Sequence, residues 1–229
     1  MTQAAYRIGL MVPANNTTME SELLAWLPQG STCSTLRIPR GKGLLTPADL
    51  PAYVGQAMTL AQTFAGDGTN VVIYGCTAAG FMSGPARDAA IAAELAQVTG
   101  KPVLTTASAM TAALKHQGVH NIALVTPYSD YINRQLQAFL AQADIKVGVL
   151  STFGASTVEE LAAITPEQIA ERARKAMRAD CDAMFIACSQ LPTRMIIPML
   201  EKEFKRPVWS SIRATAWQAE RALEPQPAH

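Results

Sequence analysis

Asn70-Val-Val-Ile-Tyr-Gly-Cys-Thr77 and Asp182-Ala-Met-Phe-Ile-Ala-Cys-Ser189 decide how this chain folds. Each is a short apolar run ending on a small residue, a cysteine and a hydroxyl residue, and the two lie 112 positions apart (182 against 70). Short, continuous apolar runs with polar or glycine punctuation read as strands buried on both faces. Working outward, Arg7-Ile-Gly-Leu-Met-Val-Pro13 lies over Asn121-Ile-Ala-Leu-Val-Thr-Pro127 at an offset of 114. Lys101-Pro-Val-Leu-Thr-Thr106 lies over Arg206-Pro-Val-Trp-Ser-Ser211 at an offset of 105. Three matches in the same order, with slowly drifting offsets, mark two copies of one half.

Between these anchors, β-type runs alternate with Ala-rich stretches at helical spacing, the pattern of βα units on parallel sheets. In the first half, strands are expected over residues 8–12, 35–38, 71–74 and 103–105. Helices fall over 19–27, 53–64, 86–98 and 108–116, the first capped by Thr17 or Thr18 and the second beginning near Pro47. In the second half, strands fall over 122–126, 147–152, 183–187 and 208–209, and helices over 129–143, 167–178, 192–204 and 214–223. The expected fold is α/β: two similar parallel-sheet βα halves related by a pseudo-twofold axis. Residues 1–110 form the half carrying Cys76 and residues 111–209 the half carrying Cys188. The C-terminal helix and tail, residues 210–229, pack back on the first half.

Composition excludes several classes of function. Charged residues make up 16% of the 229, against roughly 25% in a typical soluble domain. So little charge favours a homo-oligomer, a homodimer or homotetramer. Lys and Arg number 19 and Asp and Glu 18, for a net charge of +1, so there is no electrostatic footprint for nucleic acid or an anionic membrane. No window approaches the ~18 apolar residues of a membrane span. The N-terminus lacks the basic n-region of a signal peptide. Four cysteines in a chain without an export signal read as free thiols in the cytoplasm. No metal site is expected, since no CxxC pair occurs and the only histidines are His116, His120 and His229. Neither a dinucleotide fingerprint nor a P-loop is present, so no cofactor is implied. Arg40-Gly-Lys-Gly43 reads as a solvated basic loop, and residues 224–229 as a disordered tail.

Ligands of open parallel sheets bind beyond the carboxyl ends of the strands, where Cys76 and Cys188 both fall. With those ends facing across a pseudo-twofold axis, the two thiols flank one cleft. A cysteine at a strand-to-helix junction meets backbone N–H groups, which are expected to depress its pKa toward roughly 3.5–7.5. The same N–H groups suit a carboxylate. The loops after the first strand of each half reach the same rim. They carry Asn15, Asn16, Thr17, Thr18 and Tyr128, all able to grip carboxylate oxygens. Cys33 and Cys181 lack this setting and read as small core residues.

Val12-Pro-Ala-Asn-Asn-Thr-Thr-Met-Glu20 is similar to the VPxxNTTME segment of maleate isomerases. Ala187-Cys-Ser-Gln-Leu-Pro192 resembles that family's second cysteine motif, and Thr126-Pro-Tyr128 its tyrosine-bearing loop. Over about residues 6 to 223 the chain resembles the aspartate/glutamate racemase superfamily, in its maleate isomerase and arylmalonate decarboxylase branch. The resemblance implies Cys76 as nucleophile, Cys188 as acid/base partner, and Asn16 and Tyr128 holding substrate carboxylates. The full candidate set adds Pro13, Asn15, Thr77, Ala78, Ser189 and Gln190 on the substrate side. Two departures bear on the substrate. Gly75-Cys-Thr-Ala-Ala-Gly-Phe81 is closer to the small-residue motif of decarboxylase and ectoine-utilisation relatives, and Gly154-Ala-Ser-Thr157 lacks an asparagine that isomerases place nearby. Arylmalonate decarboxylases resemble the chain but typically keep only the cysteine matching Cys188. The expected reaction is cofactor-independent cis-trans isomerisation of a small dicarboxylate, maleate to fumarate, through a covalent cysteine adduct. The alternatives are a two-cysteine amino-acid or hydantoin racemase, an arylmalonate-type decarboxylase, or a non-catalytic dicarboxylate-binding protein.

Overall fold

Five consecutive buried residues, Ile8 to Val12, form the centre of β1 (Arg7–Pro13). The computed structural model describes residues 5–41 and 43–223, and places this strand inside a four-stranded parallel sheet. Its other members are β2 (Thr32–Ile38), β3 (Val71–Tyr74) and β4 (Val103–Thr105), in the order β2-β1-β3-β4. The second sheet contains β5 (Asn121–Thr126), β6 (Lys146–Thr152), β7 (Ala183–Ile186) and β8 (Val208–Ser210), in the order β6-β5-β7-β8. The two orders are the same once the repeat is taken into account. Ile8 opposes Val71, and the residues 114 and 112 positions on, Ile122 and Ala183, oppose each other likewise. The molecule is thus two similar parallel-sheet halves related by a pseudo-twofold axis.

Helices α1 (Met19–Trp26), α2 (Leu50–Ala61), α3 (Thr77–Ser83), α4 (Pro85–Thr99) and α5 (Thr106–His116) accompany the first sheet. The second carries α6 (Asp130–Ala141), α7 (Val158–Ala162), α8 (Pro166–Ala176) and α9 (Ile197–Phe204), with α10 (Ser211–Leu223) last. Both central strands of each sheet are covered on two faces, which is why they read as unbroken apolar runs. Helix α10 returns to the first half, where Ile212, Ala216 and Ala219 share a core with Ile8, Leu10 and Leu23. Among the described residues no helix is long and apolar enough to cross a membrane.

Several elements depart from the sequence reading. Helix α3 was not anticipated: it is seven residues long with Gly80 inside it, a composition that reads as loop. Gly80 is there for space, since a Cβ would come within 2.5 Å of the Ala107 Cβ and 2.7 Å of Asp88 Oδ1. The short α7 was also missed, and the expected 192–204 helix begins only at Ile197, after a turn. The expected 53–64 helix starts at Leu50 and breaks into a 3₁₀ turn at Gln62. Residues 224–229, read as a disordered tail, lie outside the described residues.

Candidate active site

A cavity of about 330 Å³ opens where the carboxyl ends of β1, β3, β5 and β7 meet. From β1 come Pro13, Asn15 and Asn16; from β3, Cys76, Thr77 and Ala78; from β5, Tyr128; and from β7, Cys188, Ser189 and Gln190. All ten residues of the full candidate set line this one space; Thr17 and Thr18, named with them at the rim, do not. Three of them present buried polar atoms without a hydrogen-bond partner among the described residues: Asn15 Oδ1, Thr77 Oγ1 and Tyr128 Oη. Leaving such a group unpaired costs about 1–3 kcal/mol, so each of the three is suited to a polar ligand or a water.

Asn16, expected to hold a substrate carboxylate, lines the cavity and is also hydrogen-bonded within the chain. Its Oδ1 accepts from the N–H groups of Thr18 (3.0 Å) and Met19 (2.9 Å) at the start of α1. Its Nδ2 donates to the Ser189 carbonyl (3.1 Å) and Oγ (3.2 Å) in the other half. Neither Thr17 nor Thr18 caps the helix through its side chain; Asn16 does so instead. Ser189 Oγ continues the link by donating to the Gly75 carbonyl at 2.8 Å, and Gln190 binds Thr17 through both amide atoms, each at 3.1 Å. The amide of Asn16 is therefore committed to holding the halves in register, and Asn15 beside it keeps the open acceptor.

Both thiols are buried, Cys76 at 5% and Cys188 at 8% exposure. Burial pushes the Cys76 pKa up, against the lowering pull of the Ala79 N–H, the Tyr53 hydroxyl, the Arg40 charge and the Ala78 N–H. Burial raises Cys188 to about 11, opposed by the Gln190 N–H, the Tyr128 hydroxyl and the Leu191 N–H, while charge on Cys76 raises it further. Gln190 N–H points at Cys188 Sγ from 3.4 Å. The depressed thiols expected from the sequence are thus not what this cavity sets up. The N–H groups are in place, but loss of solvent outweighs them. Each thiol still has two backbone N–H groups and one tyrosine hydroxyl ready for its anion. The backbone distinguishes the two: Cys188 takes φ +141°, a region rarely adopted by residues other than glycine, and Cys76 takes an ordinary extended φ of −116°. Neither Cys33, half-buried beside Thr35, nor Cys181, fully buried, lines the cavity.

Two contributors escaped the sequence reading. Arg40, assigned to a solvated loop, lines the cavity and is the only charged side chain among its described lining residues. Tyr53, read only as part of a helix over 53–64, is buried on α2 close enough to Cys76 for its hydroxyl to favour the thiolate. No spacing rule marks either one; the β2–α2 loop brings in Arg40 and helix α2 brings in Tyr53. The same loop supplies Leu44, Leu45 and Pro47, which with Ile132 and Leu161 make one wall apolar. Among the described residues no group of three or more His, Cys, Asp or Glu side chains is placed to hold a metal ion.

The model of the arylmalonate decarboxylase family matches residues 8–229. Arylmalonate decarboxylase of Bordetella bronchiseptica is 31% identical over 183 residues, 79% of this chain and 76% of that protein. The crystal structure of maleate isomerase Iso from Pseudomonas putida S16, a cysteine-to-alanine mutant with maleate, matches with TM-score 0.90 at 26% identity, over 96% of this chain and 93% of that one. A Nocardia farcinica maleate cis-trans isomerase, a cysteine-to-serine mutant with a covalently bound succinylcysteine intermediate, matches with TM-score 0.89 at 26% identity, over 96% and 94%. With this cavity, this sheet order and these relatives, the chain belongs to the arylmalonate decarboxylase family of enzymes, in the racemase-like branch that also holds the maleate isomerases.

Proposed function

We propose that this enzyme isomerises a small dicarboxylate without a cofactor, maleate to fumarate being the concrete case. The observation that carries the reading is the pair of thiols on one cavity, each at the end of an equivalent strand. In the proposed reaction the Cys76 thiolate adds to one alkene carbon, and the electron pair moves onto the neighbouring carbon and its carboxylate. Backbone N–H groups and the unpartnered Tyr128 and Thr77 hydroxyls offset that charge. Cys188 delivers its proton to the carbanion, leaving a thioether on Cys76 and a thiolate at Cys188. The former double bond is now single and rotates by half a turn. Cys188 then takes the proton back, the C–S bond breaks, and Cys76 regains its electron pair as the trans acid leaves. A Cys188 thiol raised to about 11 suits the acid role, because it stays protonated near neutrality until a carbanion demands the proton. The bound succinylcysteine in the Nocardia farcinica relative supports the covalent route.

A second reading, decarboxylation of a substituted malonate, is favoured by the apolar wall of Leu44, Leu45, Pro47, Ile132 and Leu161. Proton NMR separates the two. Maleate should turn into fumarate with the native chain, and Cys76→Ser should slow that conversion by about a thousandfold or more. Release of CO₂ from phenylmalonate with maleate left untouched would overturn the isomerase in favour of the decarboxylase.

A further inference from the structure

Arg40 is half-buried at the cavity wall, and no ion pair or hydrogen bond joins its guanidinium to any described residue. Asp49 lies within electrostatic reach, but its carboxylate is already engaged by the Thr46 N–H (2.8 Å) and hydroxyl (2.6 Å). The cavity around Arg40 is otherwise uncharged among its described lining residues, and Leu44 and Leu45 flank it along the chain. Such walls strengthen a charge interaction by excluding water. A dicarboxylate entering beside a thiolate brings like charges together; the strand-end N–H groups are turned to the sulfurs, and the unpartnered Thr77 hydroxyl is open to one carboxylate. Both amide atoms of Asn16 are already bonded, to α1 and to Ser189.

We propose that Arg40 is a specificity-determining residue that pairs with the substrate's second carboxylate and so selects dianionic over monoanionic ligands. This rests on the dicarboxylate reading above. A guanidinium offers a planar fork of donors matched to a carboxylate, and no other cation among the described lining residues competes for it. Its charge also favours the Cys76 thiolate, so one residue offsets both negative charges that the proposed reaction brings together.

Calorimetric binding of succinate and of its half-amide, succinamate, tests this without any turnover, because neither has a double bond to isomerise. The native chain is expected to bind succinate about 10- to 100-fold more tightly than succinamate, the worth of one charge-assisted pair. Arg40→Gln should narrow that preference to within about threefold, and Arg40→Lys, which keeps the charge but not the fork, should retain part of it. A preference unchanged in Arg40→Gln, equal binding of both ligands by the native chain, or no binding of either at millimolar concentration would overturn the assignment. Failure of maleate to isomerise would sink the reaction reading instead, and leaves the succinate preference readable on its own.

Discussion

Tyr53 and Tyr128 stand in the same relation to the two thiols, one hydroxyl to each, although they come from different places in the repeat. Burial holds both phenols above their ordinary range, so each stays a donor at any working pH. A thiolate at Cys76 would receive the Tyr53 O–H, a hydrogen bond to a charged group worth about 1.5–3 kcal/mol. Since burial has raised Cys76, the reactive anion is scarce at neutrality and grows as pH rises. kcat/KM should therefore climb from pH 7 to 9, by up to tenfold per unit. Tyr53→Phe should lower it about 10-fold at pH 8 and move the climb to higher pH, while leaving the folded chain intact. A pH–rate profile of both proteins checks this, and an unshifted climb would remove Tyr53 from the account. Neither Tyr53 nor Arg40 was legible beforehand, because a helical stripe and a loop look the same whether or not they end at a ligand.

At the scale of elements, α1 depends on a loop residue that also touches the other half. Asn16→Ala removes the acceptor at the start of α1 and frees the buried Ser189 carbonyl. The loss should be about 2–3 kcal/mol in urea unfolding, more than the roughly 1 kcal/mol of a simple cap. Asp88 of α4 is buried between α3 and the end of β4, where it accepts from Thr105 Oγ1 at 2.6 Å while its Oδ1 has no partner. Burial raises its carboxyl from 3.8 to about 6. The folded chain thus keeps a proton that the unfolded chain gives up between these values. Its contribution to stability is full below pH 4 and is lost as pH rises through about 6. Unfolding free energy should fall by about 2–3 kcal/mol from pH 4 to 7 through this group, and Asp88→Asn should flatten that stretch of the curve. Equal slopes in the two proteins would assign the fall elsewhere.

For the molecule as a whole, the repeat was legible because parallel strands covered on both faces must be apolar throughout, and the offsets of 114, 112 and 105 reappear as shared register. The strand-end cysteines followed from that, since sheet geometry dictates which ends meet a ligand. Thiol ionisation did not follow, because burial is a property of the closed cavity and not of the motif. The halves also share apolar surface: Phe81 of α3 sits in the core of the second half, edge-on to Tyr128 with ring centroids 5.4 Å apart. Unfolding should accordingly be a single transition, with far-UV circular dichroism coinciding with the fluorescence of Trp26, Trp209 and Trp217; two separated transitions would contradict it. The backbone at Cys188 has one more consequence, and it concerns evolution. A left-handed φ costs a non-glycine residue on the order of 1–3 kcal/mol, so drift under selection for stability alone would carry position 188 toward glycine. A thiol there stands against that gradient, and a chain relieved of the chemistry would gain stability by losing it.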